Sequence, residues 1–205
     1  MLVLGAFASR LKTLRGRLRD NATRGSALVE FAMIAPVFFL FMFGIIETGV
    51  IYFAQSTLTN AVEEASREVR TGQKKGALTA EDMKEAVCNS FAAAQDGSSI
   101  GLMSWQTCVD TLQVDMRVFD GFSGASYPSV IKSDGSLDVN NMTVEATDAC
   151  KVVLFRAYYP WHVLTPFLAS LMSNMPSDSE VLLGAAQAFR TEPYPDVEHT
   201  TTTTC

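Results

Sequence analysis

The sequence predicts an α+β chain, in which a long N-terminal transmembrane helix precedes an extracytoplasmic head made of a short helix and an antiparallel β-sheet. Three observations predict it. An uncharged apolar run follows a basic N-terminus, helical periodicity persists well past that run, and beyond Leu112 the apolar period changes to two. The chain has 205 residues, 48% hydrophobic and 19% charged, with a mean hydropathy of +0.15. That length suits one modest domain plus one special segment and disfavours a multidomain enzyme. The hydrophobic content excludes a disordered chain.

The net charge of −6 conceals a division. Arg10, Lys12, Arg15, Arg17, Arg19 and Arg24 face Asp20 alone, so the chain before Ser26 carries +5 and the remainder −11. An acidic body of that kind repels phosphates, so the arginines are an address for the cytoplasmic side of a membrane and no nucleic acid partner is expected. Leu4, Phe7, Leu11, Leu14 and Leu18 recur at helical spacing between them, a pattern for a leader lying on the inner membrane surface.

The first element follows directly. Ser26 to Ile46 gives 21 residues with Glu30 alone charged, enough to cross a hydrocarbon core of about 30 Å. With six basic residues before it and no Lys or Arg between Arg24 and Arg67, the N-terminus is cytoplasmic and the remainder is outside. A cleavable secretory signal also has a basic head and an apolar run. Its run is only about 7–15 residues long and ends at a small-x-small site, whereas here the run is longer and a bulky Tyr52 stands three positions before a cut at Ala54.

Glu30 makes the span specific. A carboxylate in a membrane helix is costly unless it is paired, functional or able to snorkel to the interface. The string RGSALVEF around it resembles the cleavage motif of type IV pilins, with Gly25 before the cut and Glu30 and Phe31 at mature positions five and six. A cut there turns Ser26 into an α-amine able to neutralise a neighbour's Glu30. The longer stretch from Arg24 to Arg70 is similar to the TadE-like family of minor pseudopilins, from the tight-adherence (Flp) pilus system, on Gly25, Glu30, Phe31, Pro36, Ile46, Glu47, Gly49 and the alanines from Ala61 to Ala65. The late YYPW, LTPFL and RTEPY strings are diffusely similar as well. Val50 stands where the family commonly has a basic residue.

The resemblance implies a bacterial inner-membrane, single-pass protein with a periplasmic head and a place in the pilus or its assembly machinery. It implies processing at Gly25 and Ser26 by a prepilin peptidase, assembly and membrane roles for Glu30, Phe31, Pro36 and Glu47, and action in pilus assembly, adhesion or biofilm formation. Its partners would be that peptidase, the major Flp pilin, other minor pseudopilins, the inner-membrane assembly platform and the membrane itself. Two rivals come from other classes: an uncleaved, membrane-anchored binding module, which has no use for Gly25, and an anchored enzyme.

Past Gly49, Ile51, Ala54, Leu58, Ala61 and Ala65 keep a helical stripe, so one helix is expected from about Ser26 to Arg70. Its outer half is a spine that packs on the protein's own head or on another subunit. The segments are then a leader (1–25), a membrane span (26–48), a projecting continuation (49–72) and a head (73–205). Thr71, Gly72 and Gly76 end the spine. Thr79 with Asp82 forms a capping box and Leu78 with Met83 a staple, opening a second helix that runs to the Asp96-Gly97 turn. Leu112, Val114, Met116 and Val118 alternate with polar residues as a half-buried strand, and weaker strand signals cover 142–146, 152–157 and 181–189. Residues 120–140 read as a loop. The stretch with Trp161, Leu164, Phe167, Leu168, Leu171 and Met175, between Pro160, Pro166 and Pro176, dips into the outer leaflet or, as favoured here, packs on the sheet.

All four cysteines fall on the extracytoplasmic side, which permits disulfides. Cys88 and Cys108, joining the second helix to the first strand, are the expected pair; Cys150 and Cys205 are the remainder among three possible connectivities, and Cys205 at the chain end is open to being unpaired. No catalytic constellation is recognisable. GFSGAS is a turn, His162 reads as a packed side chain and His199 lies in a polar tail. Asp134, Asp138 and Asn140 lack the spacing of a calcium loop. No cofactor or metal is expected.

Overall fold

The computed structural model describes residues 2–74, 78–92, 103–124, 128–177 and 179–193, with side chains described from Gly25 onward except at Pro166 and Phe167. The chain divides into two units, Met1–Ile46 and Glu47–Cys205.

Helix α1 is Leu2–Arg70, a single element of 69 residues that passes through Pro36 without interruption. It begins well before the Ser26 start read from the sequence and stops where the sequence says it should. The stop has a physical cause. Gly72 takes a positive φ of 72°, the Gly72 amide donates to Val69 and the Gln73 amide to Glu68. This Schellman arrangement satisfies the last carbonyls and favours glycine at the left-handed position. Within Gly25–Arg70 the helix is long and apolar enough to cross a membrane.

The second unit is built around the outer part of α1. Ala54, Leu58, Ala61, Val62, Ala65 and Val69 are buried in one cluster with residues of α2 (Ala80–Phe91), the sheet and α4 (Pro166–Met172). The stripe read from the sequence therefore packs on the protein's own head. Helix α2, Ala80–Phe91, starts with the expected box: the Asp82 amide donates to the Thr79 hydroxyl at 3.2 Å and the Thr79 amide to the Asp82 carboxylate at 2.9 Å. It ends at Phe91, earlier than the sequence suggested, where Ala92 turns extended and its amide donates to the Cys88 carbonyl. The Asp96-Gly97 turn lies outside the described residues. A short helix, α3 (Trp105–Thr111), precedes the first strand and was not expected; its Ser104 cap accepts from the Thr107 amide.

Three antiparallel strands follow in the order β1 (Gln113–Phe119), β2 (Val152–His162) and β3 (Glu180–Arg190). Residues 142–146, read as strand-like, contribute only an isolated bridge from Val144 to Met116. The central strand is longer than expected and contains Pro160. Pairing with β1 ends at Tyr158, whereas pairing with β3 continues through Pro160 opposite Leu182. The missing N–H thus falls where the strand has a neighbour on one side only. Phe155, Ala157, Tyr159, Leu183 and Ala185 face the α1 stripe and close the core, with the Phe91 and Tyr159 rings 5.5 Å apart, edge to face.

The other face of the sheet departs from simple alternation. Asp115, on the polar side of β1, is fully buried opposite Arg156 of β2. The Arg156 guanidinium donates twice to the Asp115 carboxylate and once to the Pro128 carbonyl. The Thr143 amide donates to the other Asp115 oxygen at 3.1 Å. The 128–147 segment covers this pair, so a residue that reads as solvated is an internal fastener.

Cys88 of α2 and Cys108 are joined, with Cα atoms 5.8 Å apart; Cys108 sits on α3 and not on the first strand. Cys150 is also disulfide-bonded. Cys205 and His199 lie outside the described residues. His162 ends β2 as an exposed residue and not the packed one the sequence suggested.

Candidate functional site

In the first unit, the residues singled out at the start of the span share one helix. Gly25 is mid-helix, where glycine costs roughly 1 kcal/mol against alanine. A Cβ added at Gly25 would meet nothing within 4 Å. Packing inside the chain gives no reason for glycine at this position. One residue later, the Ser26 hydroxyl donates to Glu30 Oε1 at 3.1 Å. Ser26 and Glu30 therefore lie on the same helix face, and both are exposed. Phe31, Met33, Ile34, Phe38 and Phe41 are exposed on the same segment. An apolar surface of this extent is unsuited to water and suited to lipid or to other helices.

In the second unit, Glu47 is buried with 9% of its surface exposed. Its carboxylate accepts from the Leu164 amide and from the Thr165 amide, the latter at 3.1 and 3.2 Å. Thr165 is the cap of helix α4, Pro166–Met172. The next residue of α1, Thr48, brings its hydroxyl within 4.0 Å of Met172 Sδ at the far end of α4. The 161–175 stretch thereby divides. Ala169 is buried and Leu168 and Met172 pack on the core, while Leu164 and Leu171 stay exposed.

A second clamp escaped the sequence reading. Gln55 donates from Nε2 to the Gly184 carbonyl at 2.8 Å and accepts the Gly184 amide at 3.3 Å. Its side-chain amide stands in for a neighbouring strand at the open edge of β3. An added Cβ at Gly184 would meet the Tyr158 ring at 3.2 Å. The isolated glycine inside a strand pattern was the available signal, since such a glycine marks a close approach.

Among the described residues, no group of three or more His, Cys, Asp or Glu side chains is placed to hold a metal. Two shallow surface grooves lie between α1 and β3, near Arg67 and Gln187, and beside the Asp120–Lys151 ion pair. Neither holds an arrangement of nucleophile and base.

Residues 25–67 match the family model of TadE-like proteins. The matched TadE-like segment starts at Gly25 and takes in the apolar run and the spine, which is the stretch that carries the resemblance in the sequence. No curated protein and no solved structure matches the chain. The likeness is confined to residues 25–67, and the helix within it is long and apolar enough to cross a membrane.

Proposed function

We propose that this chain is a minor pseudopilin of a tight-adherence pilus, processed after Gly25 by a prepilin peptidase and acting in pilus assembly, adhesion or biofilm formation. The observation that carries the reading is the glycine with no internal purpose at the first residue of the TadE-like segment, five residues before Glu30. A helix interior keeps such a residue for something outside the chain, and a peptidase that must approach the backbone is such an agent. Cleavage makes the Ser26 amine a cation on the face that carries Glu30. In the bilayer both charges are costly, and pairing between neighbouring subunits offsets that cost. Partners on this reading are the peptidase, the major pilin, other minor pseudopilins and the assembly platform at the inner membrane, with the head in the periplasm.

Co-expression with the cognate prepilin peptidase should yield a product whose first residue is Ser26. Recovery of intact Met1 from that experiment rejects the reading. Gly25→Ala should block the cut, whereas Glu30→Ala should still be cut and should fail in assembly.

A further inference from the structure

We infer that the Leu164–Met172 region is a second, peripheral membrane contact, with the Leu164 and Leu171 side chains inserted into the outer leaflet of the bilayer that α1 crosses. Four observations converge on lipid as the occupant. First, Leu164 and Leu171 are 84% and 78% exposed, among the most exposed large apolar side chains of the second unit. Second, their place along the chain's path is fixed. The Leu164 amide bonds to Glu47, the residue that follows the last residue of the apolar run, Ile46.

Third, both ends of α4 are fastened to one turn of α1, the Thr165 end to Glu47 and the Met172 end to Thr48. Those two residues are separated by about 1.5 Å of helix rise, whereas α4 itself is about 10 Å long. So both ends of α4 reach the first residues that follow the apolar run. Fourth, residues 163–177 contain no charged side chain, in a body that otherwise carries a large negative excess. Tyr52, also 78% exposed, is five residues beyond Glu47. That is about 7.5 Å farther along the helix, the depth of the headgroup layer where tyrosine anchors.

The contact supplies what the outer end of the span lacks. With no Lys or Arg between Arg24 and Arg67, the helix supplies no cation of its own to hold its exit at the interface. The Glu47 clamp instead ties the exit to an apolar foot, which sets the depth at which the helix leaves the bilayer.

The inference rests on the membrane-span reading, and the test separates the two. Full-length chains carrying Leu171→Trp, Leu164→Trp or, as a control, Val139→Trp are reconstituted in phosphatidylcholine–phosphatidylglycerol vesicles. Part of the phosphatidylcholine is brominated near the headgroup end of its acyl chains. The emission added by each new tryptophan is taken as the difference from the parent chain. All three sites are exposed, so the substitutions do not disturb the core.

The added emission at 164 and 171 should be blue-shifted and quenched at least twofold by the brominated lipid, while that at 139 is quenched by aqueous iodide. Chains that fail to float with the vesicles overturn the span itself. Chains that float but show iodide-quenched, lipid-insensitive emission at 164 and 171 overturn the membrane foot alone. Blue-shifted emission that ignores brominated lipid and grows with protein density in the vesicle also overturns it, in favour of contact with a second copy.

Discussion

Two glutamates bracket the apolar run, and their surroundings are opposite. Glu30 is exposed and shares its face with the Ser26 hydroxyl, so its carboxylate is presented outward. Glu47 is buried and turned inward onto two backbone amides. The first therefore suits an intermolecular role and the second an architectural one. Glu47→Ala should leave the Leu164 and Thr165 amides without their acceptor, a loss of about 2 kcal/mol in local stability for hydrogen bonds to a charged group. Amide exchange at 164 and 165 should accelerate about 30-fold, with little change at 153–157 in the central strand. Glu47→Gln, which retains one carbonyl oxygen, should fall between. Exchange at 164 and 165 identical in all three proteins would show that the carboxylate does not hold the α4 end.

At the scale of elements, the sheet has its edges closed by different devices. Along β1 the 143–145 segment bonds to Met116 through the Thr143 carbonyl and the Glu145 amide, and the Glu145 carboxylate accepts the Val118 amide at 2.7 Å. At β3 the closing group is Gln55. A small three-stranded sheet with both edges occupied resists pairing with other chains. Helix α2 depends on its capping box, which gives the element a pH signature. The Asp82 carboxyl lies below its ordinary value, first because the Thr79 hydroxyl donates to it, then through the Thr79 amide and the Lys74 charge. A depressed folded value means that Asp82 contributes stability above its unfolded value, near 3.9, and loses it as pH falls through the folded value. The stability difference between the parent and Asp82→Ala, followed by thermal unfolding, should be present at pH 6 and shrink once pH falls below about 4. A difference constant from pH 6 to pH 2 would contradict the box. Thr79→Ala at neutral pH should cost about 1 kcal/mol, the usual worth of an N-cap.

For the molecule as a whole, local signals were legible and long-range ones were not. The apolar run, the Gly72 stop, the Thr79–Asp82 box and the alternation of β1 each rest on neighbouring residues, so sequence alone carried them. The Cys88–Cys108 link was legible because its ends are only 20 residues apart in sequence. Asp115 was not, because its burial is created by Arg156 and the 128–147 segment, far away in sequence. Pro160 in a strand was missed because only the early end of β1 makes it tolerable. Helix α3 is too short to show a period. The site divides likewise: the Gly25 to Glu30 spacing is local, whereas the backbone partners of Glu47 lie more than a hundred residues away.

The largest long-range effect is that the spine belongs to the head's core, which leads to a prediction about folding. Leu58, Val62 and Val69 of α1 are fully buried against α2 and the sheet. At about 1.5–3 kcal/mol for each such side chain, these three approach the whole stability of an ordinary domain, about 5–15 kcal/mol. Every member of the core cluster lies at or beyond Ile51. A fragment of residues 47–205, made in an oxidising compartment, should therefore fold alone, with a cooperative thermal transition and the Cys88–Cys108 link formed. A fragment of residues 73–205 keeps the sheet, the short helices and all four cysteines, yet lacks the surface on which they pack. It should show no cooperative transition and no fixed near-ultraviolet dichroism, and a native-like melt from it would mean that the spine is dispensable to the head and free to serve another subunit.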